Sequence, residues 1–143
     1  MSILDRLMRN LKLNRSKQKS ISNKWIDRLN IRTPSAETLV GSLSGGNQQK
    51  VVISRWLETN PRILILNDPT RGVDVGAKAE IYGMMEELCK QGIGIIIISS
   101  ELRETLSMTD RVIVMCEGEK TGEALTREAT QESLMKLAVV GMG

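Results

Sequence analysis

Two short aliphatic runs constrain the fold more than anything else in this 143-residue chain. Ile63-Leu64-Ile65-Leu66 leads into Asn67-Asp68-Pro69, and Ile93 to Ile98 closes on Ser99-Ser100. Each run is bounded by turn residues and is apolar at every position, the pattern of a strand buried in a parallel sheet. Between them, residues 77–90 carry Ile81, Met84, Met85 and Leu88 at helical spacing, and Gln91-Gly92 ends the helix. Strand, helix, strand in this order predicts a parallel sheet flanked by helices, an α/β fold. Arg111 to Met115 reads as a third strand, Glu117-Gly118-Glu119 as a turn and Lys120 to Ala124 as a short return strand. Thr130 to Val140 reads as a terminal helix with Leu134, Leu137 and Ala138 inward.

The chemistry gathers at the ends of these elements. Polar residues at the C-terminal end of a strand are where open α/β sheets bind ligands, which singles out Asn67, Asp68 and the following Thr70-Arg71-Gly72-Val73-Asp74. Upstream, Leu43 to Lys50 reads LSGGNQQK, a loop turning into a helix. Ser44 can cap that helix, and Gly45 and Gly46 let a ligand approach the backbone. A helix N-terminus presents free N–H groups and partial positive charge, so the segment suits an anion. Val52, Ile53, Trp56 and Leu57 are expected to anchor it from behind, and Thr59-Asn60-Pro61 is a stop signal. Ser99 and Ser100 precede a short helix over Glu101 to Leu106, with Glu101 and Glu104 near its positive end.

The N-terminal part is read from weaker patterns. Ile3, Leu4, Leu7, Met8 and Leu11 share a face of a helix over residues 3–13. Asn14 to Ser22 reads as a basic loop, Ser22 or Asn23 as the cap of a short helix to about Leu29, and Asn30 to Leu39 as a connector. Residues 1–32 hold nine Lys/Arg and two Asp/Glu, whereas the remainder is acidic by four charges. A basic arm suits nucleic acid or an anionic surface. Trp25 is the one aromatic there to stack on single strands, so a solvated helical face is the better reading. The chain has no histidine, which excludes histidine catalysis and histidine metal sites. Cys89 and Cys116 lack metal-ligand spacing and fit a reduced compartment. No apolar run is long enough to cross a bilayer.

These segments resemble, in order, the motifs of ABC-transporter ATPases of the monosaccharide-importer branch. LSGGNQQK resembles the signature motif, ILILNDPT the Walker B segment, TRGVD with VDVGAK the D-loop and Ser99-Ser100-Glu101 the switch segment. TREATQESLMKLAV is similar to the tail of ribose- and galactoside-type importers. The resemblance covers about Leu4 to Val140. It implies that Ser44, Gly45, Gly46 and Gln48 contact ATP held by an opposite domain, and that Asp74 meets that partner. It implies catalytic positions at Asn67, Asp68 and Ser100, with a Mg²⁺ site at Asn67. Here the chain departs from the family: Asn67 replaces the Mg²⁺-holding Asp, Asp68 replaces a Glu, and Ser100 stands where most members have a His. A neutral Asn offers Mg²⁺ no charge, and a misplacement of about 1 Å at a reacting group costs on the order of 100-fold. The expected site is therefore degenerate.

The sequence contains no GxxxxGK[ST] phosphate loop. The expected architecture is an incomplete P-loop NTPase fold lacking the phosphate-loop strand, which the resemblance places between Ile93–Ile98 and Arg111–Met115. Residues 1–42 would be part of a helical subdomain and connector, and residues 43–143 the C-terminal part of the ATPase core. In the intact parent, ATP and Mg²⁺ would be cofactors, with a complete nucleotide-binding domain and membrane permeases as partners. The location would be cytoplasmic, against the inner face of the plasma membrane. No nucleic acid is expected as a partner; a homodimer is one way to fill the missing strand's place. Two other readings stand beside this one: a non-catalytic docking or regulatory fragment, and a nucleic-acid-associated ABC ATPase.

Overall fold

Two short paired strands stand within the segment where a helix was expected. In the computed structural model, which describes residues 8–9 and 12–139, Met8–Arg9 (β1) and Lys12–Leu13 (β2) pair antiparallel. An isolated helix of about eleven residues is marginal in water, and Met8, Arg9, Lys12 and Leu13 take strand pairing instead. Ile3, Leu4, Leu7 and Leu11 of the expected helix lie outside the described residues.

The basic stretch that reads as a loop is the first helix, α1 (Arg15–Arg28). Asn14 caps it, its Oδ1 accepting from the Lys17 N–H at 3.0 Å. The cap therefore falls about two turns before Ser22 and Asn23. Lys, Gln and Arg are good helix formers even where no apolar residue marks a period, so the pattern was silent while the propensity was not. Near its end Trp25 is buried, its indole N–H donating to Glu58 Oε2 at 2.6 Å. Lys24 reaches the same oxygen and stands over the Trp25 ring.

A 3-10 turn over Val40–Ser42 leads to α2 (Gly45–Leu57). The residues α2 buries are Gly46, Lys50, Ile53, Ser54 and Leu57, an i, i+4, i+7 stripe. Ile53 and Leu57 anchor the helix as expected. Val52 and Trp56 do not: each lies about 100° round the helix from that stripe, and they remain 43% and 62% exposed.

The chain then forms β3 (Ile63–Asn67), α3 (Val75–Lys90) and β4 (Gly94–Ile98). β3 and β4 make a two-stranded sheet. The Gly94 N–H donates to the Arg62 carbonyl at 3.0 Å, so the strands start together and run parallel through the α3 crossover. Leu64 and Leu66 are buried, as are Ile81, Met85 and Leu88 of α3. Ile63 and Ile65 alternate with them and point outward. The expectation of a strand buried on both sides holds for one face of β3 only.

The described chain divides at Ile96 and Ile97 into two compact units. In the second, α4 (Leu102–Met108) is followed by β5 (Arg111–Cys116) and β6 (Glu119–Leu125). These strands form an antiparallel hairpin with a register shift between Val114 and Met115. Glu117 and Gly118, both at positive φ, make the tight turn. Arg111–Met115 is thus a strand as expected, but its partner is the return strand in a sheet of its own. Glu123 bonds Lys120 and Arg111, which hold its carboxyl below the usual carboxylate range. The terminal helix α5 (Gln131–Val139) starts from a reciprocal cap between Thr130 and Ser133 and buries Leu134. Gly122 lies beneath it, where a Cβ would stand 2.6 Å from the end of the Leu137 side chain and force that side chain to shift.

Replacing Ile81 or Leu134 with Ala opens a cavity at a fully buried position. Each change is expected to lower stability by about 2–5 kcal/mol. Val75→Ala, at an exposed position, is expected to stay within about 0.5 kcal/mol. Urea denaturation followed by circular dichroism measures all three.

Candidate functional site

The N-terminus of α2 is built from both directions. Ser44 occupies the cap position with extended backbone (φ −62, ψ 154), yet its side chain bonds no backbone N–H. Its Oγ instead accepts from Asn47 Nδ2 at 2.8 Å, which leaves the Ser44 hydroxyl hydrogen available to a ligand. Asn47 Oδ1 accepts the Arg32 N–H at 2.8 Å, and Gln48 Nε2 donates to the Leu43 carbonyl at 2.8 Å. Side chains of the helix's own first turn thus tie down the loop that precedes it. Ser44 and Gly45 are exposed at the tip.

Gly46 is buried, and the reason is packing. A Cβ on Gly46 would stand 2.6 Å from the Ala77 Cβ and 3.5 Å from Val73 Cγ1, so the α2 backbone packs directly against the Ala77 methyl group of α3 here. A Cβ on Gly45 would meet only the Gly72 carbonyl, at 3.5 Å. The tip of α2 therefore lies directly against the turn that opens α3.

That turn carries the second set of candidate residues. Asn67 ends β3 and is exposed. Asp68 follows at φ 43, left-handed backbone that Asp tolerates better than most residues. The Arg71 N–H donates to the Asp68 carbonyl and the Val73 N–H to the Thr70 carbonyl. Asp74 caps α3, its Oδ1 accepting from the Ala77 N–H at 2.9 Å. Ser44, Gly45, Gly46, Gln48 and Asp74 are thereby gathered around one helix–helix contact, with Asn67 and Asp68 at the strand end leading into it. Ser100 belongs to the second unit, where it is exposed. Beside it Ser99 Oγ accepts the Glu101 N–H at 3.1 Å, fixing the entry to α4.

Sequence reasoning missed the residue that locks this arrangement. Lys50 is only 3% exposed; its Nζ donates to Glu80 Oε2 at 2.8 Å and to the Asn30 carbonyl at 3.1 Å. Arg32 bonds the other Glu80 oxygen at 2.8 Å. The Lys50 hydrogen bond and charge, with Arg32 adding to them, hold the Glu80 carboxyl below the usual carboxylate range. Glu80 lies thirty positions from Lys50 in sequence, so no local pattern announced the pair.

The metal site implied by the resemblance does not fit the residues present. Asn67 is neutral, Asp68 is the one acid beside it, and the described residues hold no group of three acid or cysteine ligands. An anion at the tip of α2 fits better, since Ser44 and Gly45 are exposed at a helix N-terminus.

Residues 2–71 match the ABC transporter family. The chain is 56% identical over 126 residues to a ribose import ATP-binding protein of Yersinia pestis. It is 52% identical over 132 residues to a xylose import ATP-binding protein of Moorella thermoacetica. A nucleotide-free ATP-binding cassette from an ABC transporter superposes with a TM-score of 0.69 at 26% identity, over 96% of this chain. The chain belongs to the ABC-transporter ATP-binding family. It covers 88% and 92% of itself but only 25% and 26% of these two relatives, and 53% of the solved cassette. A dimeric bacterial ABC transporter cassette superposes with a TM-score of 0.68 at 22% identity, a likeness of fold.

In this ABC chain Gly46→Ala is expected to lower stability by about 1–3 kcal/mol through overpacking against Ala77. Gly45→Ala is expected to leave the melting temperature close to that of the parent chain. Differential scanning calorimetry separates the two. Because the Glu80 carboxyl titrates lower in the folded chain, its contribution is present above the ordinary carboxylate range and is lost as pH falls through the depressed folded value. Glu80→Gln is therefore expected to destabilise at neutral pH and to flatten the acid limb of the stability curve, measured by urea titration between neutral pH and pH 3.

Proposed function

We propose that the chain is the C-terminal part of the second nucleotide-binding cassette of a monosaccharide ABC importer. Residues 1–42 belong to its helical subdomain and connector, and residues 43–143 to its ATPase core. The observation that carries this reading is the identity of 52–56% to xylose and ribose import ATP-binding proteins across about nine-tenths of the chain. The exposed, braced tip of α2 supports the detail. Ser44, through its free hydroxyl hydrogen, and the backbone of Gly45, Gly46 and Gln48 contact the terminal phosphate of ATP held by a partner cassette. Asp74 keeps its capping role and borders the same contact. Asn67 and Asp68 belong to a degenerate hydrolytic site, where ATP would supply the phosphoryl group and these residues only position and polarise. The transporter would work at the inner face of the plasma membrane, with permease subunits as partners. No described helix is long and apolar enough to cross a membrane.

Asn67 favours a second reading for the isolated chain, that of a non-catalytic docking fragment, because a neutral amide cannot replace a metal-binding carboxylate. Both readings expect no hydrolysis by the chain alone, and they differ in whether α2 meets ATP.

Titration of the chain with a fluorescent ATP analogue and Mg²⁺ is expected to show no saturable binding below about 1 mM. Micromolar binding by the monomer would overturn the half-site. Addition of an intact sugar-import cassette loaded with a non-hydrolysable ATP analogue is expected to give a complex that Ser44→Ala weakens about 10- to 100-fold, the cost of one hydrogen bond to a charged group. A complex indifferent to nucleotide and to Ser44 would favour the docking fragment.

A further inference from the structure

Asn47 stands between an anchored backbone donor and the exposed hydroxyl of Ser44. Ile31 is buried and its N–H bonds the Ile26 carbonyl at 2.9 Å. The next residue, Arg32, is held at its other end, where its side chain bonds Glu80 Oε1 at 2.8 Å. The Arg32 N–H so placed donates to Asn47 Oδ1 at 2.8 Å. A backbone N–H can only donate, so the Asn47 atom facing it must be the amide oxygen. The amide nitrogen then faces Ser44 Oγ, 2.8 Å away. The first bond thus sets the polarity of the second: Asn47 donates, Ser44 accepts, and the Ser44 proton is turned away from Asn47. A serine at a helix start ordinarily accepts from an N–H of the first turn; Ser44 makes no such bond.

We propose that Asn47 is a positioning residue of the phosphate contact: held by the Arg32 N–H, it keeps the Ser44 hydroxyl an outward donor, matched to an acceptor oxygen of the terminal phosphate. Asn47 acts through Ser44 and not on the nucleotide, since its side chain is committed to Arg32 and Ser44. The inference rests on the reading that Ser44 meets ATP held by a partner cassette. Asn47→Asp reverses the polarity: one carboxylate oxygen still accepts from Arg32, and the other draws the Ser44 proton inward.

The test is a double-mutant cycle over Ser44 and Asn47. It reads binding of the full chain to an intact sugar-import cassette loaded with a non-hydrolysable ATP analogue. Asn47→Asp is expected to weaken the complex at least about tenfold, the loss of one hydrogen bond to a charged group. In the Ser44→Ala background the same change is expected to cost no more than about threefold, the exposed new charge acting alone. Asn47→Ala, which frees the hydroxyl without reversing it, is expected to weaken the complex less than Asn47→Asp. Circular dichroism checks that each variant is folded. Amide NMR of the chain alone supplies a signature that a merely structural role would not move: Ser44→Ala is expected to shift the Asn47 side-chain amide and to leave the Arg32 N–H in place. Three results would overturn the proposal and leave the ATP reading standing: no loss from Asn47→Asp in a folded chain, an equal loss with and without the Ser44 hydroxyl, or an Asn47 amide signal indifferent to Ser44→Ala. A complex indifferent to Ser44→Ala would overturn both, so the two failures are told apart.

Discussion

The buried ammonium of Lys50 holds the first unit in its arrangement. A charge taken out of water must be paired and hydrogen-bonded, and Lys50 finds both partners in segments distant in sequence, Glu80 on α3 and the carbonyl of Asn30 after α1. Asn30 is itself left-handed (φ 48), which turns the chain between α1 and the connector. One side chain thus ties two distant segments to α2. One turn earlier on the same stripe, Gly46 lets α2 and α3 approach so closely that a methyl group would collide with Ala77. The ion pair sets where the helices cross, and the glycine sets how near they come.

That clamp explains why the exposed tip of α2 can be rigid without being buried. Asn47 reaches back to Ser44 and across to the Arg32 N–H, while Gln48 holds the Leu43 carbonyl. Polar groups of the first turn are spent on the loop, and Ser44 and Gly45 are left facing outward. The same contact couples the tip to the start of α3, because Asp74 caps α3 beside Val73 and Gly72. The Leu43–Lys50 segment and the Thr70–Asp74 turn therefore form one mechanical piece within this unit.

The sheet follows a different logic. β3 and β4 are aliphatic at nearly every position because strands of this class are made to be covered on both faces. In this chain one face is covered, and the strands show it by strict alternation of Leu inward and Ile outward in β3. The hairpin of β5 and β6 pairs one edge of each strand locally through the Glu117–Gly118 turn.

Sequence by itself determined the local elements. The β3–α3–β4 unit, the start of α2 after Ser44, the turn at Glu117–Gly118 and the terminal helix were legible because each depends on periodicity, capping or turn chemistry within a dozen residues. The ordered motifs were legible too, and with them the family. The sequence misplaced α1, whose polar residues carry propensity but no period, and Met8, Arg9, Lys12 and Leu13 before it, which pair as strands where a helix was expected. Only the tertiary structure decided that Lys50 is buried, that Gly46 serves helix packing, that Trp56 faces water, and which face of β3 is bare. Those outcomes depend on partners thirty residues away or on how neighbouring elements cover a surface, and burial of that kind leaves no mark in local spacing.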